Sequence, residues 1–473
     1  MKSVPVAVVA LLLIAATGFA QDPNGEIPQA PASPAARNLV LDPASGAQGQ
    51  GQGLVAYASV FESYDTYTTV GGDANTLFGT PLTTARLPSG AYTGLSGGLS
   101  YSYGRGGDRG SFGINGRSSV IYFPSNDTTV TWAGLSAGGS RRIASRTTIQ
   151  ATPFISYASY YDLGLFPTVE AGGFAGGFGG GMPAGGFGDS PGAGGFASGL
   201  SGTSPSLHSA AATIPLFQYG VSGGLDQQLG LHTNLALSYG LRRTDLRGRQ
   251  TGLRDQNIGG RVSHVQSQHL TLNVGYFYRQ GNYANNVKPF RAHDIDLGVN
   301  YHRALSFSRR TTFSFGSGST LLTTDSIGGQ TQPSRTDLRL LANANLDHYI
   351  GRTWSARLAY RRDWQFVEGF LEPFFVDGVT FGVGGSMGRR ATLGASASYL
   401  SGQAGIGTLS NLQSYRSLAF FHVSLTPALS TYLQYQYYNA EFSDNVVVPA
   451  GYPTAFSRNS LQAGLVLVLP LIR

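Results

Sequence analysis

The chain has 473 residues, 67 of them glycine, with only 12% charged residues and a formal net charge of +7. The lack of cysteine excludes a disulfide scaffold and any thiolate metal site. So low a charge is about half the usual share and sits badly with a soluble surface, while no apolar stretch beyond the first twenty residues approaches the roughly 20 needed for a spanning helix.

In chain order, the first element is a secretory signal peptide. Lys2 supplies a positive start, an apolar run extends from Val6 to Thr17, and Gly18-Phe19-Ala20 offers small residues for cleavage after Ala20. The apolar run is about a dozen residues, too short to anchor in a bilayer. Residues 21–53, Pro-rich at first and then Ala47-Gln48-Gly49-Gln50-Gly51-Gln52-Gly53, read as a disordered periplasmic tail.

From residue 54 onward, apolar and small polar residues alternate. Leu235, Leu237, Tyr239 and Leu241 are interleaved with Asn234, Ala236, Ser238 and Gly240, and Leu272, Val274, Tyr276 and Tyr278 with Thr271, Asn273, Gly275 and Phe277. A period of two sustained over about 7 to 11 residues predicts strands longer than those of ordinary globular sheets. Eighteen are predicted: 54–69, 92–104, 110–123, 129–141, 146–161, 214–228, 231–244, 257–266, 269–281, 293–304, 310–323, 335–349, 352–365, 377–388, 390–402, 414–426, 429–442 and 458–469. Sixteen and twenty are the neighbouring counts. Linkers after odd-numbered strands are mostly long and those after even-numbered strands mostly short, the signature of extracellular loops and periplasmic turns. The fold class is therefore all-β, a single antiparallel up-and-down transmembrane barrel over residues 54–473, with both termini on the short-turn side. A soluble sheet would place Lys and Glu on its water face, yet Lys2 and Lys288 are the only lysines.

The longest linker, 162–213, carries Gly172-Gly173-Phe174, Gly185-Gly186-Phe187 and Gly194-Gly195-Phe196. Its composition predicts a flexible surface loop, although the third long loop of general porins folds inward.

The last strand contains Gln462, Gly464, Leu467 and Leu469. This spacing resembles the carboxy-terminal assembly signal of bacterial outer-membrane β-barrel proteins, and the whole mature chain resembles them in architecture. The resemblance implies outer-membrane lipid as surroundings, the barrel-assembly machinery as a partner recognising the last strand by strand pairing, and a porin-like pore. Many porins are trimers, which raises homo-oligomerisation. The chain departs from the pattern by running on from Pro470 to Arg473 where many relatives end on an aromatic residue.

Of 32 basic residues, 30 are Arg. On alternate positions of their strands, Arg335, Asp337, Arg339, Asn343, Arg357, Arg361 and Asp363 face inward on two neighbouring strands. Arg242, Arg261, Arg279, Asp294, Asp296 and Arg416 occupy similar phases elsewhere. These predict either a charged pore wall selecting solutes electrostatically or ion pairs that brace the wall with little net selectivity. Double arginines such as Arg141-Arg142 and Arg389-Arg390 fit solvated periplasmic ends.

Catalytic motifs are weak. Gly-x-Ser-x-Gly occurs at 94–98, 134–138 and 384–388, always inside strand-like runs and not at a strand-to-helix elbow. The eight His lack zinc spacing, and His422 with Ser424 is a lumenal pair. No cofactor, enzyme activity or nucleic-acid partner is indicated. The expected function is an outer-membrane pore for hydrophilic solutes. The alternatives are the barrel of an exopolysaccharide export system, guiding an acidic polymer, and a closed surface barrel with an adhesive or structural role.

Overall fold

The computed structural model describes residues 51–70, 89–104, 110–162, 210–212, 215–246, 252–283, 289–304, 310–324, 335–351, 353–367, 373–404, 411–443 and 453–472. The predicted signal peptide, nearly all of the predicted tail and most of the Gly/Phe linker lie outside the described residues. All elements are strands: β1 (Gly51–Val70), β2 (Gly90–Gly104), β3 (Ser111–Phe123), β4 (Thr128–Ala144), β5 (Thr147–Ala158), the short β6 (Tyr161–Asp162) and β7 (Ala210–Ala212), β8 (Leu216–Gln228), β9 (Thr233–Leu246), β10 (Leu253–Ser267), β11 (Leu270–Tyr283), β12 (Phe290–Ala304), β13 (Thr311–Thr324), β14 (Arg335–Ile350), β15 (Trp354–Gln365), β16 (Phe374–Met387), β17 (Ala391–Ala404), β18 (Asn411–Ser424), β19 (Leu429–Phe442) and β20 (Ala455–Ile472).

Eighteen of these pair with their sequence neighbours, antiparallel throughout, and β1 pairs with both β2 and β20, closing the ring. The remaining two, β6 and β7, pair with each other at the two ends of the long linker. Each predicted strand corresponds to one barrel strand. β1 begins at Gly51, so the last three residues of the predicted tail belong to the barrel. Long connections gather at one end, the loop end, and tight turns at the other, the turn end. Gly351 and Gly388 take positive φ values of 68° and 76° in two such turns, which residues with a Cβ adopt only at a cost.

The alternation sorts side chains as the pleat requires. Val60, Leu95, Leu99, Val274, Leu338, Leu340, Leu358 and Leu465 stand exposed on the outer wall. Apolar groups in that position are costly in water and favourable in a hydrocarbon layer. Register brings Tyr360, Val379, Tyr399 and Tyr415 into one outward row on four adjacent strands, with the Tyr399 and Tyr415 ring centroids 4.9 Å apart. A row of this kind suits a membrane interface.

The ring departs from a plain cylinder at one place. β14 pairs with β15 only from Ala342/Arg362 to Ile350/Trp354, so Arg335–Leu341 run on toward the loop end without a β15 partner. The β15–β16 pairing continues to Gln365/Phe374 and the β16–β17 pairing to Phe374/Ala404. The loop end of the β15–β16 hairpin has therefore left the wall and turned into the barrel.

Candidate functional site

The lumen is the candidate site, and its two halves differ in chemistry. Toward the turn end its inward positions are mostly Gly, Ser and Asn, among them Ser100, Asn115, Ser136, Ser222, Ser238, Ser263, Asn345 and Ser396. Toward the loop end they are bulky and apolar. Phe61, Tyr92, Ile121, Phe123 and Val130 on β1–β4, with Tyr160 just after β5, form one buried cluster. A second joins Leu246 on β9 to Val367, Phe374, Leu400, Leu412, Tyr438, Phe442 and Phe456. β9 stands across the ring from β18–β20, so this cluster spans the lumen. A third contains Leu253, Tyr283, Phe290, Leu322, Leu341, Trp364, Phe366 and Phe375.

The inserted hairpin connects the last two clusters. Phe366 belongs to one and Val367 to the other. By strict alternation with Trp354 and Leu358, Trp364 would face outward, yet it is fully buried. Because the hairpin has moved inside, the outer face of β15–β16 lies against the inner face of β11–β14. Trp364 Nε1 donates to Asp294 Oδ1 at 3.2 Å, and the Arg279 guanidinium lies 4.9 Å from the Trp364 ring centroid. The Arg339 guanidinium lies 4.0 Å from the Phe375 ring centroid and donates to Gln403 Oε1 at 3.0 Å. Arg242 donates to the Phe366 carbonyl at 3.3 Å. Phe366 occupies the space a Cβ on Gly281 would need, 2.5 Å from its Cε1.

The charged residues singled out by alternation mostly sit beside carboxylates. Arg279 Nε is 2.8 Å from Asp294 Oδ2, Arg339 Nε 2.7 Å from Asp337 Oδ2 and Arg357 Nε 2.5 Å from Asp347 Oδ1. Arg361 pairs with Asp363, and Arg242 Nη2 lies 3.7 Å from Asp255 Oδ2. Asp294 also accepts from Thr320 Oγ1. Arg261 lies 5.3 Å from the Phe277 ring centroid. Asn343 is on the inner phase of β14, opposite Gly316 and Arg361, and Arg416 is on the inner phase of β18, opposite Ser398 and Tyr438. The backbone of Asp296 pairs with Gly275 and that of Arg335 with Thr324, while their side chains are outside the described residues.

Two arginines escaped the sequence reasoning. Arg458 and Asp65 form a fully buried pair between β20 and β1, with Arg458 Nε donating to Asp65 Oδ2 at 2.8 Å. Both are on the inner phase of their strands, but they are 393 residues apart and only ring closure makes them neighbours. Arg117 donates to Asn115 Oδ1 at 3.0 Å and lies 5.6 Å from the Tyr57 ring centroid. Asp255, the partner of Arg242, fell in a predicted linker because β10 starts four residues earlier than its apolar alternation. Of the residues with the spacing of an assembly signal, Gln462 faces inward and donates to Tyr432 Oη at 3.1 Å. Gly464 faces inward beneath Tyr432, and Leu467 and Leu469 are exposed outside.

No protein-family model and no curated protein matches the chain. Solved structures with a similar fold include Pseudomonas aeruginosa OccK2 (OpdF), crystallised in complex with glucuronate, at 10% identity and a TM-score of 0.44, covering 89% of this chain and 100% of that one. Acinetobacter baumannii OccAB1 gives 11% identity and a TM-score of 0.42 over 91% of this chain and 100% of that one. The siderophore receptor PirA of Pseudomonas aeruginosa gives 11% and 0.39 over 89% and 81%. At these values the likeness is one of strand arrangement.

Proposed function

We propose that this chain is a bacterial outer-membrane channel for hydrophilic solutes, exported through its signal peptide and closed, in the conformation described, by the inserted β15–β16 hairpin. The observation that carries the reading is the contrast between the two halves of the lumen. A vestibule of small polar residues at the turn end meets an apolar closure at the loop end, and the closure is hung on one hairpin. Polar contacts hold that hairpin to the wall through Arg242 and Asp294, and the Arg339 guanidinium lies over the Phe375 ring. A wall built only for rigidity gains nothing from detaching a hairpin and re-docking it through side-chain contacts, whereas a movable closure needs that arrangement.

In this proposal Arg242, Arg261, Arg279, Asp294, Asp296, Arg335, Asp337, Arg339, Asn343, Arg357, Arg361, Asp363 and Arg416 line the solute path, and Gln462, Gly464, Leu467 and Leu469 serve barrel assembly. The pairing of Arg with Asp supports a weakly selective lumen over a strongly anion-attracting one. The apolar filling favours one second reading, a permanently closed surface barrel. Liposome swelling with neutral monosaccharides and their acidic counterparts tests the channel: entry of both, through wild type or once Trp364→Ala/Phe366→Ala has freed the hairpin, supports it, and no entry with either folded protein favours the closed barrel.

A further inference from the structure

Outside the lumen, at the turn end of β2–β5, the barrel wall carries a groove of about 530 Å³ that is mostly apolar. Register aligns Tyr103, Phe112, Gly139 and Ala151 in one outward row on four adjacent strands, with Arg141 and Ile149 paired one step nearer the turn. Tyr103, Phe112 and Ile149 are each about two-fifths exposed, at 42%, 44% and 39%. They form raised walls, and Gly139 and Ala151, which have almost no side chain, form the floor. Arg141 is exposed at the water-side end of the groove and makes no ion pair with the described residues. An apolar trough on the membrane-facing wall, ended by one uncompensated guanidinium at the interface, complements an amphiphile with an acyl chain and an anionic head. Guanidinium is well suited to phosphate, which it binds through a fork of N–H donors.

We propose that this groove binds a glycerophospholipid of the periplasmic leaflet, its acyl chain over Gly139 and Ala151 and its phosphate on Arg141. The inference rests on the membrane orientation adopted for the proposed channel. The test is native mass spectrometry of the detergent-purified full chain with added dioleoylphosphatidylglycerol, after confirming the heat-modifiable gel shift of a folded barrel for each variant. Wild type retains one lipid more tightly than the rest. Arg141→Gln and the groove-filling Ala151→Phe each lower that retention at least severalfold, while Arg390→Gln, at a different turn, leaves it unchanged. Excess inorganic phosphate does not displace the lipid.

Equal loss in Arg390→Gln, no effect of Ala151→Phe, or displacement by inorganic phosphate overturns the site. So does an oligomer that Ala151→Phe dissolves, since a second copy would then be the occupant. A chain lacking the heat-modifiable shift and failing to enter liposomes would instead defeat the membrane reading itself.

Discussion

Phe61 on β1 lies across Gly94, its direct cross-strand partner on β2, so closely that a Cβ on Gly94 would stand 2.0 Å from Phe61 Cζ. The same relationship recurs inside the barrel at Phe277 over Gly259, Phe420 over Gly394 and Tyr432 over Gly464. An aromatic ring laid over the bare backbone of its partner covers ladder hydrogen bonds and pins the register. This gives the abundance of glycine and aromatics a packing role. Gly94→Val is expected to displace Phe61 from the first cluster, with an overpacking cost of about 1–3 kcal/mol. A lowered urea midpoint of the refolded barrel in detergent checks it, and Phe61→Ala in the same chain should relieve part of the loss.

Asp65 and Arg458 close the ring electrostatically where β1 meets β20. Neither side chain reaches water, so removing one leaves a buried charge without its counterion. Asp65→Ala is expected to cost roughly 3–5 kcal/mol. Replacing both with well-packed apolar residues should cost much less, because the desolvation of both charges disappears together. Urea unfolding of the two singles and the double measures the coupling, and additive losses would contradict it.

The lumenal pairing has a consequence for selectivity. Arg357 lies beside Asp347 in the turn-end half. Asp347→Asn leaves the guanidinium in place without that carboxylate. A unit charge at about 4 Å contributes ~1 kcal/mol even in bulk water, roughly a fivefold change in local anion occupancy. The reversal potential in a potassium chloride gradient should therefore move toward chloride in Asp347→Asn, and less so at high salt. An unchanged potential would place Arg357 off the conducting path.

Much of this architecture is legible in the residues, because a period-two alternation is a local property. Leu272, Val274 and Tyr276 declare their face without reference to any other strand, and the position of the long linkers orients the barrel. Three kinds of feature were not legible. The Asp65–Arg458 pair depends on closure between chain ends. The Trp364 side chain contradicts its own alternation because the hairpin carrying it has left β14, and local pattern holds no record of that departure. The order of the loops points to the Gly/Phe linker as the inward one, whereas among the described residues it is the facing ends of β15 and β16 that turn inward. Its one local trace is bulky residues at the two ends of the predicted water-facing loop 366–376, with Phe366, Val367, Phe374 and Phe375 inside it and Trp364 just before it.

Loosening the hairpin should also lower stability, since its rings fill the third cluster. Trp364→Ala removes the ring stacked by Arg279 and bonded to Asp294, and truncations of this type cost about 3–5 kcal/mol in well-packed interiors. The loss should appear as protease cleavage within 366–373 from the loop-end side, at protease levels that leave wild type intact. Cleavage equal in both proteins would mean that the hairpin is not held by these contacts.

The most direct test of the closure is single-channel recording in planar bilayers of wild type beside a folded Trp364→Ala/Phe366→Ala/Phe375→Ala variant. Wild type is expected to show long closed periods with rare steps, and the variant frequent, larger discrete steps. A variant that is folded, inserted and silent, or one indistinguishable from a freely conducting wild type, would contradict it.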